Sequence, residues 1–166
     1  MTTEVLKRLG WFLVFVLAQV LVLGQVHVFQ CATPLLYVYF ITPMPCNYPK
    51  WASLLWGFAL GLTIDVFSNT PGVAAGALTL IAAIQPYYAQ LFIPRDAFEG
   101  ARPTLGLLGG VRFFYYTGVL VFLYCLLFFT LEMFSFFNWW HWLQCVVGST
   151  LLTLALIYSF ELAKKR

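Results

Sequence analysis

Asp65 is the residue in this chain best placed to carry chemistry. It closes the stretch Gly57-Phe-Ala-Leu-Gly61-Leu-Thr63-Ile-Asp65, at the end of the apolar run 51–67 and beside the polar turn Ser68-Asn69-Thr70-Pro71-Gly72. A carboxylate in such surroundings is costly, and intramembrane ionisable groups are functional candidates by default. Its other use is structural, bonding a neighbouring helix end or the turn itself. An intramembrane aspartic protease needs two carboxylates sharing one proton. The aspartates here are Asp65 and Asp96, and the topology read below puts them on opposite sides. Glu132 is the better neighbour for Asp65. His27, Gln25, Asn69, Asn138 and His141 are expected at the same level, either lining an outward polar pocket or serving as ordinary interfacial residues. Glu132 is also the carboxylate nearest the depth at which a proton relay would work.

Other reactive patterns are missing from the sequence. There is no His-Glu-x-x-His helix, no Gly-x-Ser-x-Gly turn, no paired Asp motif for Mg²⁺ and no phosphate-cradling loop. Cys31, Cys46, Cys125 and Cys145 lack metal-ligand or redox spacing and read as core residues. The reading is of a non-enzymatic chain with no cofactor and no metal.

The elements that position these residues follow from composition. Of 166 residues 62% are hydrophobic and 9% are charged, where an ordinary soluble domain has roughly a quarter charged. A soluble domain of this size cannot hide that much apolar surface, which leaves an integral membrane protein. Crossing a bilayer takes about 20 apolar residues per helix. Apolar runs at 10–29, 30–42, 51–67, 73–93, 111–137 and 143–160 supply the candidates. The first follows Lys7 and Arg8, but it is longer than a signal-peptide core and lacks a small-x-small cleavage site, so it reads as a retained span. In the second, Thr33 and Pro34 look like a helix start, and Pro43 and Pro45 stop it. Such a helix rises only ~14 Å, so it is either a kinked crossing begun near Val28 or a re-entrant piece shielded by its neighbours.

Charge decides between them. If the segment crosses, six spans with both termini inside put Lys7, Arg8, Lys50, Arg95, Arg102, Arg112, Lys164, Lys165 and Arg166 on the inner side, which is every basic residue of the chain. If it does not, most of them fall outside. The positive-inside rule prefers six crossings. The expected fold is one all-α membrane domain, a bundle of about six transmembrane helices. The net charge of +3 is not gathered into a nucleic-acid-binding strip. The loop bearing Arg95, Arg102 and Arg112 is expected to meet anionic lipid or a cytoplasmic partner. Gly57 with Gly61 and Gly72 with Gly76 have the spacing that lets helices approach closely, whereas Gly106 and Gly110 fit a loop or helix start.

The stretch from Gly57 to Gly72, with the small-residue helix that follows it (Val73-Ala-Ala-Gly76-Ala-Leu-Thr-Leu-Ile-Ala-Ala), resembles the rod shape-determining membrane protein MreD. Residues 27–40 and the Leu131-Glu-Met-Phe-Ser-Phe136 patch are similar to the form found in Bacteroidota. The resemblance covers roughly residues 20–137. It implies a scaffold subunit of the cell-elongation machinery in the inner membrane, similar in fold to the substrate-binding subunit of energy-coupling-factor transporters. Its implied main partner is MreC, a single-span protein, with the MreB filament, the RodA glycosyltransferase and a penicillin-binding transpeptidase beyond it. Asp65, Asn69, Pro71 and Gly72 match the family pattern, which gives them no catalytic role. A small-molecule-binding transporter subunit and a hydrolase built on Asp65 and Glu132 are the other readings.

Overall fold

A computed structural model of the chain describes residues 2–21, 33–93, 100–134 and 138–165. The elements are α1 (Thr2–Leu21), a 3₁₀ helix (Leu36–Phe40), α2 (Lys50–Ser68), α3 (Val73–Phe92), the single turn α4 (Leu105–Leu108), α5 (Gly110–Met133) and α6 (Trp139–Lys165). No strand occurs among the described residues.

The core is apolar with polar side chains set into it, and the outer surface is far more apolar than that of a soluble bundle. Gln19, Ser53, Asp65, Gln85, Thr117, Ser149, Thr153 and Glu161 are buried. Trp51, Leu55, Phe58, Leu62 and Val66 form an exposed apolar stripe at helical spacing along α2. Outward apolar faces with polar side chains drawn inward suit a surround of lipid, where backbone and polar groups must be satisfied internally. α2, α5 and α6 are long and apolar enough to cross a membrane. This is a membrane protein. α1 misses that pattern through Glu4, Lys7 and Arg8 in its first turns, and α3 through Gln85 and Gln90 in its last.

The closest packing joins α2 to α3. A Cβ on Gly61 would lie 2.4 Å from the Cα of Ala75, and one on Gly57 would lie 3.2 Å from the Cβ of Ala82. The turn between them needs two left-handed residues, Asn69 at φ 56° and Gly72 at φ 83°. Asparagine and glycine are the residues that adopt this region most readily. Gly76 makes no such close approach. A Cβ there would meet only Leu131 of α5, at 3.8 Å.

Residues 33–45 run through the middle of the bundle. Leu35, Tyr37, Val38, Tyr39, Phe40, Ile41, Thr42 and Met44 are all buried. Thr33 and Pro34 do not start a helix; the 3₁₀ helix begins at Leu36. The amide of Thr33 donates to Ser149 Oγ (3.1 Å) and that of Leu35 to Thr153 Oγ1 (3.1 Å). Alternate amides of an extended chain are about 6.6 Å apart, and residues four apart on a helix are about 6 Å apart. An extended start therefore matches the hydroxyl ladder of α6 in register, and a helical one would not.

This segment connects the two ends of the bundle. Thr33 lies beside Gln19, Ser68, Thr70 and Glu132 around one cavity. Pro43, Met44 and Pro45 lie beside Lys7, Arg8, Arg102 and Lys164 around another. The α2 start joins the second, basic end, where Arg8 stacks over the Tyr48 ring at 3.8 Å. Lys50 also bonds Tyr87 near the end of α3 there, at 2.8 Å.

Helix boundaries differ from the sequence reading: α1 starts at Thr2 rather than residue 10. α5 ends at Met133 rather than residue 137, and α6 starts at Trp139 and runs on to Lys165. The tryptophans form the first turn of α6, with Trp139 and Trp142 in ring contact at 5.2 Å. Helix propensity continues past Phe160, where Glu161 is drawn inward by its own bonds.

Candidate functional site

Asp65 lies in the last turn of α2 with its side chain 3% exposed. Oδ1 accepts from the Thr70 hydroxyl (3.0 Å) and the Ala74 amide (2.9 Å), and Oδ2 from the Ala75 amide (2.8 Å). The first amides of a helix have no intrahelical acceptor. Gly72, the N-cap of α3, has no side chain to offer one. Asp65 therefore caps α3 from the neighbouring helix, and its negative charge suits the positive end of the helix dipole. The glycine face of α2 brings the backbones close enough for this reach. Asn69 and Pro71 are exposed in the turn.

Glu132 lies at the same end. It lines a cavity of about 390 Å³ with Gln19, Thr33, Tyr37, Ser68 and Thr70. Asp65 is not part of that lining, since its oxygens are turned to the α3 backbone. Gln19 donates from Nε2 to the Pro34 carbonyl at 3.0 Å. Its Oε1 is buried with no partner among the described residues. His27 and Arg95 lie outside the described residues.

Sequence reasoning passed over the polar residues that hold segment 33–45. Gln85 Nε2 donates to the carbonyls of Met44 (3.1 Å) and Thr42 (3.4 Å) and contacts the Tyr116 hydroxyl (3.0 Å). Tyr116 in turn donates to the Thr42 carbonyl at 3.0 Å. Tyr37 shares a hydrogen bond with Tyr124. Tyr39 donates to Glu161, whose other oxygen accepts from the Leu105 amide at 3.2 Å. The available signal was a polar side chain in the middle of an apolar helix (Gln85, Glu161) and the i, i+4 hydroxyl pair Ser149 and Thr153.

The basic end holds the second cavity, about 200 Å³, lined by Lys7, Arg8, Arg102, Thr104 and Lys164 with Trp11, Phe15, Tyr39, Phe40 and Phe160. Arg102 belongs to this set. Arg112 is exposed at the start of α5 and is not part of the lining. Among the described residues no group of three His, Cys, Asp or Glu is arranged to hold a metal. No family model, curated protein or solved structure matches this chain. The arrangement itself clamps backbone. Asp65, Gln85, Ser149, Thr153 and Glu161 each bond main-chain atoms of another segment.

Proposed function

We propose that this chain is a non-enzymatic scaffold subunit of a bacterial cell-elongation complex, an MreD-like bundle of six passes that holds the transmembrane helix of an MreC-like bitopic protein. The observation that carries the reading is the use made of the buried polar groups. Asp65, the residue best placed for chemistry, has both oxygens on α3 amides and Thr70. Gln19, Gln85, Ser149 and Thr153 fasten main-chain atoms of segment 33–45 in the same way. A frame fixed from within and apolar outside is suited to packing against another helix, where van der Waals fit and small residues carry association in lipid. The basic end faces the cytoplasm of the inner membrane by the positive-inside rule, with both termini on that side. Arg95, Arg102 and Arg112 belong to that cytoplasmic surface, and the MreB filament, RodA and its transpeptidase are indirect partners. Purification of the tagged protein from its own membranes in mild detergent tests this. An MreC-like protein in near-equal amount is the expected result; its absence together with recovery of an ATPase module overturns it.

One observation favours a second reading, a small-molecule-binding transporter subunit. The cavity beside Glu132 is within the usual range for ligand sites, roughly 300–1,000 Å³, and Gln19, whose buried Oε1 has no partner among the described residues, is one of its lining residues. A small molecule carried through the same purification, and lost in Gln19→Leu, would support this reading over the first.

A further inference from the structure

We propose that the α2–α3 face takes a thinned lipid shell, built from acyl chains shorter than those that suit the rest of the bundle. Both edges of the apolar belt on this face are fixed. At one edge the turn exposes Ser68 and Asn69. At the other, Lys50 donates to the Tyr87 hydroxyl at 2.8 Å, and its ammonium stands 4.5 Å from the centre of that ring. Both residues are exposed, so the pair lies on the outside of the bundle. A lysine at a helix end ordinarily snorkels away from the hydrocarbon. Here the ammonium is held at the level of a residue on the neighbouring helix. Trp51 is exposed beside it, and Gln90 about one turn further along α3. Aromatic and polar side chains collect in this way at a membrane–water interface.

Helix rise sets the distance between these edges. From Val73 to Tyr87 α3 climbs about 22 Å, and the whole of α2 about 28 Å. Side chains lean toward the N-terminus of their helix, which for α3 is the turn. This draws the Tyr87 ring, and the ammonium on it, toward the turn. Tilting either helix, or bending α3 at Pro86, only lowers the figure. The backbone contact of Gly61 with Ala75 stops the two helices from sliding apart to lengthen the belt. The hydrocarbon core of a bilayer is about 30 Å thick. The belt is therefore short by several ångströms, and a charge drawn into hydrocarbon is costly. Lipid yields more readily than a packed hairpin, by thinning where it meets the short face. Leu55, Phe58, Leu62 and Val66 of α2, with Leu80 and Ile84 of α3, fill the belt between its edges. α5 and α6, at 24 and 27 residues, rise about 36 and 40 Å and match an ordinary core by tilting. The shortfall is thus confined to one side. The proposal needs the membrane reading but not the scaffold role, so a failed partner capture leaves it standing.

The test is tryptophan quenching by brominated dioleoyl phosphatidylcholine, with the full-length protein in vesicles that also contain unbrominated phosphatidylcholine of varied chain length, from myristoleoyl to erucoyl. The native tryptophans are replaced by Phe, and one reporter is placed halfway along a helix, either Phe58→Trp on α2 or Phe122→Trp on α5. Both positions are about half exposed. The α2 reporter should retain myristoleoyl over eicosenoyl chains by about threefold, and the α5 reporter should prefer oleoyl chains. Lys50→Leu with Tyr87→Leu removes the inner edge and should move the α2 preference to longer chains. The same preference on both helices overturns the proposal. So does an α2 preference for oleoyl or longer chains, or one that the double variant leaves unchanged. If the reporter variants do not fold, thermal unfolding of the unaltered protein and of the double variant in the same lipids decides. The unaltered protein should then be most stable in the shorter lipid and the double variant in a longer one; the reverse, or no difference, overturns the proposal.

Discussion

Where Gly61 meets Ala75 a methyl group has no room, since its carbon would sit 2.4 Å from a backbone Cα. Backbone cannot move aside as a flexible side chain can. Gly61→Ala should therefore destabilise by about 1–3 kcal/mol, the usual cost of overpacking. Gly57→Ala, with contacts at 3.2 Å, should cost less. Gly76→Ala meets only an ordinary 3.8 Å contact and should be neutral or slightly stabilising, because Ala is the better helix former. Thermal unfolding in detergent reads this order, and equal effects at all three would refute the packing account. Asp65 makes a second test. Asp65→Asn keeps the size but loses an acceptor facing the α3 amides, at a cost of about 1–3 kcal/mol. An unchanged melting temperature would show that water replaces the cap.

At the scale of elements, segment 33–45 depends on its neighbours for its hydrogen bonds. Removing the hydroxyls of α6 with Ser149→Ala and Thr153→Val leaves two amides without acceptors, at roughly 1–3 kcal/mol each when buried. Gln85→Leu should be worse than either alone, since Gln85 reaches Thr42, Met44 and Tyr116. Limited proteolysis between residues 33 and 49 would report the loosening, and resistance equal to the native protein would count against the tethers. The segment also shows what the sequence could and could not disclose. The glycine spacing on α2, the Asn69–Gly72 turn and the long apolar helices follow from local rules about small residues, φ and hydropathy, and were legible. The form of segment 33–45 was not. Thr33-Pro34 satisfies the local rule for a helix start, and that rule is overridden by a ladder of hydroxyls 116 residues away on α6. The structural use of Asp65, bonding a neighbouring helix end or the turn, was legible and is what the structure shows; which amides it reaches was not, because that depends on how closely Gly61 lets α3 approach.

Over the whole molecule, Lys7, Arg8, Arg102 and Lys164 collect at one end and the Thr70–Glu132 level lies at the other. Chemical labelling can read that polarity. Cys46, just beyond Pro45 at the basic end, is partly exposed, and burial pushes its thiol above the ordinary range. Since the thiolate is the reactive form, a variant keeping only Cys46 should react slowly with a membrane-impermeant maleimide at neutral pH and faster as pH rises. It should do so in inside-out vesicles and not in intact cells. A cysteine at position 70 should show the opposite sidedness. Labelling of both from the same side would exclude the six-pass arrangement.

The irregular segment also sets an order of biogenesis. A helix that makes its own hydrogen bonds can enter the bilayer as soon as it leaves the ribosome. Residues 33–45 cannot, because the acceptors for the Thr33 and Leu35 amides, and the carboxylate for Tyr39, arrive only with α6. The bonding of this stretch is thus completed by the last helix, and until translation finishes it must wait in the insertion machinery or at the membrane surface. A nascent chain halted before residue 149 should be recognised by quality-control proteases as unassembled, although α1, α2, α3 and α5 have already been made.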